Sequence, residues 1–368
     1  MNKKVKGIYI HIPFCKDICY YCDFARIYYN EKIADEYLDV LIEEYNSENI
    51  ICNDIESIYI GGGTPSSLNE NQLERLLIEI DYKRFKNLKE FTIEINPENI
   101  NEEKIIILKK YGINRISVGV QTFDDTRLKE INRQHNKDDI VKIIKLLKKY
   151  DFNNISIDLM YNFANQTKEQ LLSDLNSLMI LNINHVSVYS LILEEGTIFY
   201  KNKYQSEDND ELDLLINTYL NEYGYEHYEV SNYAKNNSYS IHNLLYWNNE
   251  YYYGFGLGAA GYLNNYRYYN TKSITNYLKK DNKKRVEYYN NSYELLKDEI
   301  MLKFRIFNGI DIGKIEDKYA IEFTKLFEHA IINNKTRVYI ENNKLYFTNE
   351  GKLFLNDVII DFINEIEE

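Results

Sequence analysis

Cys15, Cys19 and Cys22 carry the most chemistry in this chain, within Cys15-Lys16-Asp17-Ile18-Cys19-Tyr20-Tyr21-Cys22. One further cysteine, Cys52, exists. A thiolate is a soft ligand for iron or zinc. A cubane iron–sulfur cluster usually takes four cysteines. Three at C-x3-C-x2-C spacing would leave one iron for a ligand that is not protein. Other chemistry fits the same residues. Zinc favours four ligands, often as two C-x2-C pairs. No second pair is present, but His11 could complete a Cys3His set. A disulfide and three plainly buried thiols are the remaining alternatives. Three cysteines at ligand spacing suit a reducing compartment better than a disulfide framework.

The elements that must position these thiols are legible as alternating patterns. Short β-branched runs predict strands at Gly7–Ile12, Ser57–Ile60, Glu90–Ile95, Arg115–Val120, Asn154–Leu159 and His185–Leu191. Several read as runs buried on both faces, as in a parallel sheet. Amphipathic segments between them predict helices at Glu31–Tyr45, Asn69–Ile80, Asn101–Tyr111, Lys137–Tyr150 and Thr167–Leu181. Asn69 and Thr167 read as N-caps, and Gly112 as the residue that ends a helix. The alternation predicts βαβ units, an α/β class and a parallel sheet. Active sites in barrels of such units form at the C-terminal ends of strands. The polar residues of interest sit there. The cysteine loop follows the first strand and Gly61-Gly62-Gly63-Thr64-Pro65 the second. Glu94 closes the third, where it could bond a ribose or an amino group. Gln121 follows the fourth, and Asp158 lies in the fifth. Singly, Gln121 and Asp158 read as satisfied core polar groups; with Arg133 they form one convergent set. Three successive glycines expose backbone N–H and C=O to a ligand, so a Cβ at Gly62 or Gly63 is expected to intrude on it. An ordinary glycine turn is the alternative.

After Thr197 the pattern changes. Lys201–Asp213 reads as a polar linker entering a helix at Leu212–Glu222. Ser292–Glu368 reads helix, helix, hairpin, helix, with a turn at Glu341-Asn342-Asn343-Lys344. A chain of 368 residues suits two domains, or one with an appendage. A formal charge of −13 disfavours non-specific nucleic-acid binding, which depends on cationic contacts to phosphate. No apolar run approaches the ~20 residues that span a bilayer. The basic start, Met1-Asn2-Lys3-Lys4, leads into a short alternating stretch and is not read as a signal peptide. A cytoplasmic protein is expected. The 36 tyrosines accompany abundant Asn, Ile and Lys, so codon bias explains them better than a tyrosine-specific function.

The cysteine spacing resembles that of the radical S-adenosylmethionine family. A closer resemblance rests on HIPFC, CxxxCxYCDF, GGGTPS, NRISVGVQTF, the Asn132-Arg133-Gln134-His135 segment and IDLMY. These look like the branch that holds oxygen-independent coproporphyrinogen III oxidases and heme chaperones, and the likeness covers nearly the whole chain. It implies a partial (β/α)6 barrel with a C-terminal, mostly helical, winged-helix-like domain. The implied divisions are a core at 1–200, a connecting and heme-contact region at 201–290 and a C-terminal domain at 291–368. A [4Fe-4S] cluster on Cys15, Cys19 and Cys22 is implied, with S-adenosylmethionine against Tyr9, Tyr21, Gly62, Gly63, Thr64 and Glu94. Gln121, Arg133 and Asp158 match residues that touch a second S-adenosylmethionine in the oxidases. Heme is the implied cargo and the recipient an acceptor protein, respiratory ones included. A flavodoxin or ferredoxin is the implied electron donor.

His242-Asn243-Leu244-Leu245-Tyr246-Trp247 resembles the chaperones' HNxxYW segment and offers His242 as a heme ligand, with Leu245, Tyr246 and Trp247 against the porphyrin. The alternative is that His242 and Asn243 satisfy a loop backbone and that Trp247 is core. The chain also departs from its relatives. Asn162 and Ala164 replace a usual Gly and Pro, and Ala260 replaces a usual His. Phe24 stands where the oxidases carry a further cysteine, and the oxidases' long N-terminal extension is not expected here. A heme chaperone is therefore expected ahead of a coproporphyrinogen oxidase. A radical enzyme acting on RNA is disfavoured by the acidic balance.

Overall fold

The computed structural model describes residues 4–206, 209–281, 285–289 and 291–366. The first three residues of the basic start, part of the expected linker and the last two residues lie outside these. Six strands form the centre: β1 (Val5–Ile12), β2 (Ser57–Gly62), β3 (Glu90–Ile95), β4 (Arg115–Gln121), β5 (Ile155–Tyr161) and β6 (His185–Ser190). They lie side by side in chain order and all pairs are parallel. Helices covering a parallel sheet exclude water from both faces. β4 is accordingly buried at every residue.

The crossover helices are α1 (Glu31–Ser47), α2 (Glu70–Ile80), α3 (Glu102–Lys110), α4 (Lys137–Lys149) and α5 (Lys168–Ile180). Each begins at a residue whose side chain accepts an otherwise unpaired backbone N–H: Asn30, Asn69, Asn101, Asn136 and Thr167. The sequence pattern singles out two of these caps. The other three are asparagines, common enough here to hide among loop residues. Gly112 follows α3 with φ of 79°, as a helix-ending glycine does.

The residues beyond 200 extend the same sheet. At the β6 edge lie β7 (Glu226–Glu229) and β8 (Asn232–Ala234), both antiparallel to their neighbours. At the β1 edge, β9 (Tyr251–Phe255) adds a seventh parallel strand. β10 (Ala260–Leu263), β11 (Tyr266–Tyr269) and β12 (Arg285–Tyr288) continue from it as an antiparallel meander. The mixed sheet has twelve strands. Helix α6 (Asp210–Glu222) begins two residues ahead of expectation because Asn209 caps it. Helix α7 (Ile241–Trp247), capped by Ser240, holds the whole HNxxYW segment.

One apolar core runs from Ile8 to Tyr277. A second, from Leu296 to Ile366, belongs to the C-terminal helices and a three-stranded sheet. Its hairpin pairs Val338–Glu341 with Lys344–Phe347. Asn342 and Asn343 turn it at φ of 50° and 59°, the left-handed pair that a two-residue hairpin needs.

The α2 cap is reciprocal. Asn69 accepts from the Gln72 N–H at 2.9 Å, and the Gln72 side chain accepts from the Asn69 N–H at 3.1 Å. Asn69→Ala should cost about 1 kcal/mol of stability, seen as a lower urea midpoint with an unchanged slope.

Candidate iron–sulfur and cofactor site

The mouth of the barrel is built where β1 and β2 end. Residues two apart share a strand face, so Tyr9 and His11 point the same way, as do Ser57, Tyr59 and Gly61. The three glycines that follow each meet a different wall. A Cβ on Gly61 would lie 2.8 Å from the Tyr59 ring and 2.9 Å from a Glu94 oxygen. On Gly62, whose φ is 117°, it would lie 2.6 Å from the His11 ring. On Gly63 it would lie 2.8 Å from the Pro13 backbone and 3.0 Å from Cys15 Sγ. At both Gly62 and Gly63, expected to need room for a ligand, a Cβ would already meet protein atoms.

All four cysteines are free thiols. Cys15 is buried, accepts the Thr64 hydroxyl at 3.6 Å, and has its thiol pushed up to about 12 by that burial. Iron binding there must therefore displace a proton. Cys19 and Cys22 are half-buried, and the Cys22 N–H donates to the Cys19 carbonyl at 3.3 Å. His11 is not available as a fourth ligand. Its Nε2 lies 2.7 Å from the Ala25 carbonyl, so that nitrogen carries the proton, and Nδ1 accepts the Tyr9 hydroxyl at 3.0 Å. Among the described residues, no group of three His, Cys, Asp or Glu side chains is placed to hold a metal ion directly.

Glu94 faces the glycine loop. It accepts the Tyr59 hydroxyl at 2.7 Å and the Gly62 N–H at 3.1 Å. Burial pushes its carboxyl up to about 7, with the Tyr59 hydrogen bond pulling the other way. Thr64 accepts from the Asn96 side-chain amide at 3.0 Å. Asp158 accepts the Ser117 hydroxyl at 3.1 Å, and burial raises its carboxyl too. Gln121 ends β4 in the left-handed region, φ 73°, beside a bulge in its pairing with β5. Its side-chain oxygen accepts the Tyr189 hydroxyl. Arg133 is buried, donating to the Gly119 carbonyl at 2.7 Å and lying 3.6 Å from Glu98. Its Nε has no hydrogen-bond partner among the described residues, and its charge is felt at Cys15, Cys19 and Tyr21. Tyr9 lies stacked near Tyr59 with ring centres 6.2 Å apart, and Tyr21 packs on the cluster around Phe199.

His242, expected as a heme ligand, lies away from this mouth, among residues at the starts of the strands. Gly7, near the start of β1, faces its ring. Nδ1 lies 3.0 Å from the hydroxyl of Ser57, the first residue of β2, and Nε2 lies 2.8 Å from that of Tyr246. The ring is buried, and burial lowers its pKa to about 3. Leu245 is core, Tyr246 packs on Tyr252, and the Trp247 Nε1–H donates to Glu229 at 2.7 Å. Both ring nitrogens thus face hydroxyl groups of the fold. The residues that the sequence reading misses are Tyr59, Asn96 and Tyr189, and for Tyr59 the strand alternation is the signal that could have found it.

Residues 9–178 match the model of the Radical SAM superfamily. Heme chaperone HemW of Lactococcus lactis is 40% identical over 375 residues, covering 99% of this chain and 98% of the relative. The chain belongs to the HemW family within the radical SAM superfamily. HemW of Bacillus subtilis is 36% identical, covering 98% of this chain and 100% of that one. The solved coproporphyrinogen III oxidase HemN of Escherichia coli, a radical SAM enzyme, superposes with a TM-score of 0.83 over 98% of this chain and 90% of its own, at 20% identity. This chain therefore shares its fold with that oxidase.

Two outcomes follow from the glycine loop. Gly63→Ala should lower iron and sulfide per chain after anaerobic reconstitution, with unchanged far-ultraviolet circular dichroism, because the new methyl presses on Cys15 Sγ. Glu94 binds its proton more tightly in the folded chain than in the unfolded one. Its contribution to stability is therefore present at low pH and lost as pH rises from about 4.5 through about 7. Urea titrations of wild type and Glu94→Gln across that window should show wild type losing stability relative to the variant as pH rises, then levelling.

Proposed function

We propose that this chain holds a [4Fe-4S] cluster on Cys15, Cys19 and Cys22, binds S-adenosylmethionine at the open iron, and carries heme to an acceptor protein in the cytoplasm. The observation that carries the first part is the packing of Gly63 against Cys15, which seats the glycine loop beside the thiols. The chemistry of the donor set supports it: three free thiols on one loop, with both nitrogens of His11 already engaged. When bound, the cluster supplies an electron to the sulfonium. The remaining work falls to the chain. Gly62, Gly63, Thr64 and Glu94 offer backbone and carboxylate partners to the methionine and ribose groups, with Tyr9 and Tyr21 as flanking rings. Arg133 places a fixed positive charge near thiolates that would otherwise repel one another in a poorly hydrated site. Gln121, Arg133 and Asp158 form the set that would hold a second S-adenosylmethionine.

The printed name of the HemW relatives, heme chaperone, supports heme as cargo. Phe24, 59% exposed, replaces the further cysteine of the oxidases and favours the chaperone over coproporphyrinogen turnover. Reduced thiols throughout fit a cytoplasmic setting with a flavodoxin or ferredoxin as electron donor. No helix among the described residues is long and apolar enough to cross a membrane.

Iron and sulfide analysis of single alanine variants tests the cluster. Loss in the Cys15, Cys19 and Cys22 variants and full loading in Cys52→Ala is the expected result; loading in Cys19→Ala would sink the assignment. A heme titration of the reconstituted protein should give a Soret band that His242→Ala leaves in place, since His242 is engaged inside the fold. Formation of protoporphyrinogen from coproporphyrinogen III under reducing anaerobic conditions would replace the chaperone reading with the oxidase.

A further inference from the structure

A continuous line of contacts joins the floor of the barrel to its mouth. It begins at Glu90, the first residue of β3, whose buried carboxylate accepts the N–H of Ile241 at 2.7 Å and that of His242 at 3.0 Å. These bonds, 151 and 152 residues apart in sequence, pin the start of α7 beneath β3. The His242 ring is then held from both sides. Ser57 Oγ lies 3.5 Å from Glu90 as its donor, so it accepts from His242 Nδ1–H, and Nε2 accepts the Tyr246 hydroxyl. A ring so fixed cannot turn. It stacks on the Tyr59 ring with centres 5.1 Å apart and planes 30° apart. The Tyr59 hydroxyl, at the far end of that ring, donates to Glu94, and the other Glu94 oxygen receives Gly62 N–H.

We propose that His242 is a positioning residue for S-adenosylmethionine binding, setting the Tyr59 ring that aims Glu94 at the glycine loop. The inference rests on the reading of this mouth as the S-adenosylmethionine site. The stack does the positioning, and the hydrogen bonds at Ser57 and Tyr246 serve to hold the stack. That division makes the role separable from mere stability. His242→Phe keeps an aromatic ring on Tyr59 but removes the acceptor of the Tyr246 hydroxyl and the donor to Ser57, whereas His242→Ala removes the ring as well. Both should lose thermal stability, because buried polar groups without partners are costly. Only His242→Ala should lose cofactor affinity.

The experiment is calorimetric titration of S-adenosylmethionine into anaerobically reconstituted full-length protein, with electron paramagnetic resonance of the reduced cluster before and after addition. His242→Ala and Tyr59→Phe should each weaken binding about tenfold, equivalent to ~1.4 kcal/mol, at unchanged iron content and with a diminished spectral response to the cofactor. His242→Phe should stay within about twofold of wild type despite its lower melting temperature. The double variant His242→Ala/Tyr59→Phe should bind no more weakly than Tyr59→Phe alone, since both act through one hydroxyl. Equal weakening in His242→Phe and His242→Ala would overturn the proposal, as would unchanged affinity in either His242→Ala or Tyr59→Phe. If His242→Ala does not fold, Tyr59→Phe and His242→Phe still decide it. A wild-type protein with a loaded cluster and no affinity for S-adenosylmethionine would instead overturn the reading of the site itself.

Discussion

Three consecutive residues without side chains hold the mouth of this barrel together. Gly61, Gly62 and Gly63 let the end of β2 close on the Tyr59–Glu94 pair, on the His11 ring and on the Pro13 backbone beside Cys15, leaving no room for a Cβ without a shift. Close packing of this kind leaves no slack, so the thiol loop, the histidine and the carboxylate are placed relative to one another by contact. Any ligand bound there meets groups whose separation was settled when the sheet formed. The glycines thus serve the architecture first and leave backbone open to a cofactor as a consequence.

The same economy governs the buried polar groups. Glu90, Ser57, His242, Tyr246, Arg115, His185 and Tyr228 fill the floor of the barrel, where α7 plugs the N-terminal end of the strands. An unpaired polar group in such a place would cost more than most single packing contacts return. Here the partners come from distant segments. His185 takes the Tyr228 hydroxyl at 2.8 Å on one nitrogen and has Ser156 at 2.8 Å and Arg115 at 3.3 Å on the other. Glu90 spends its carboxylate on the first N–H groups of α7. The floor is therefore laced by hydrogen bonds between segments far apart in sequence, and His242 takes part in it.

Much of the core was legible in the chain. The strands β1 to β6 and their helices follow from β-branched runs and helical periodicity, because burying both faces of a parallel sheet leaves a continuous apolar signature. The cysteine spacing and the glycine run are local, and they mark the mouth without reference to anything else. Asn69 and Thr167 could be read as caps for the same reason: a cap acts within one helical turn. The strands added at both sheet edges were less legible. β7 to β12 are short and rich in tyrosine, so their partners, which lie far off in sequence, decide their place. Gln121 is similar, since the left-handed turn that presents it follows from a bulge against β5.

The sequence by itself determined the class of fold, the order of the central strands and the thiols at the end of the first. These rest on interactions between residues near one another, or on periodicity that any core must show. Tertiary structure alone decided what His242 does. A histidine beside an asparagine, a tyrosine and a tryptophan is equally suited to holding iron or to filling a core. Which it does depends on whether Ser57 and Tyr246 reach its two nitrogens, and Ser57 lies 185 residues away. Hydrogen-bond capacity is finite, and in the fold both nitrogens are met by hydroxyls from distant or helical neighbours.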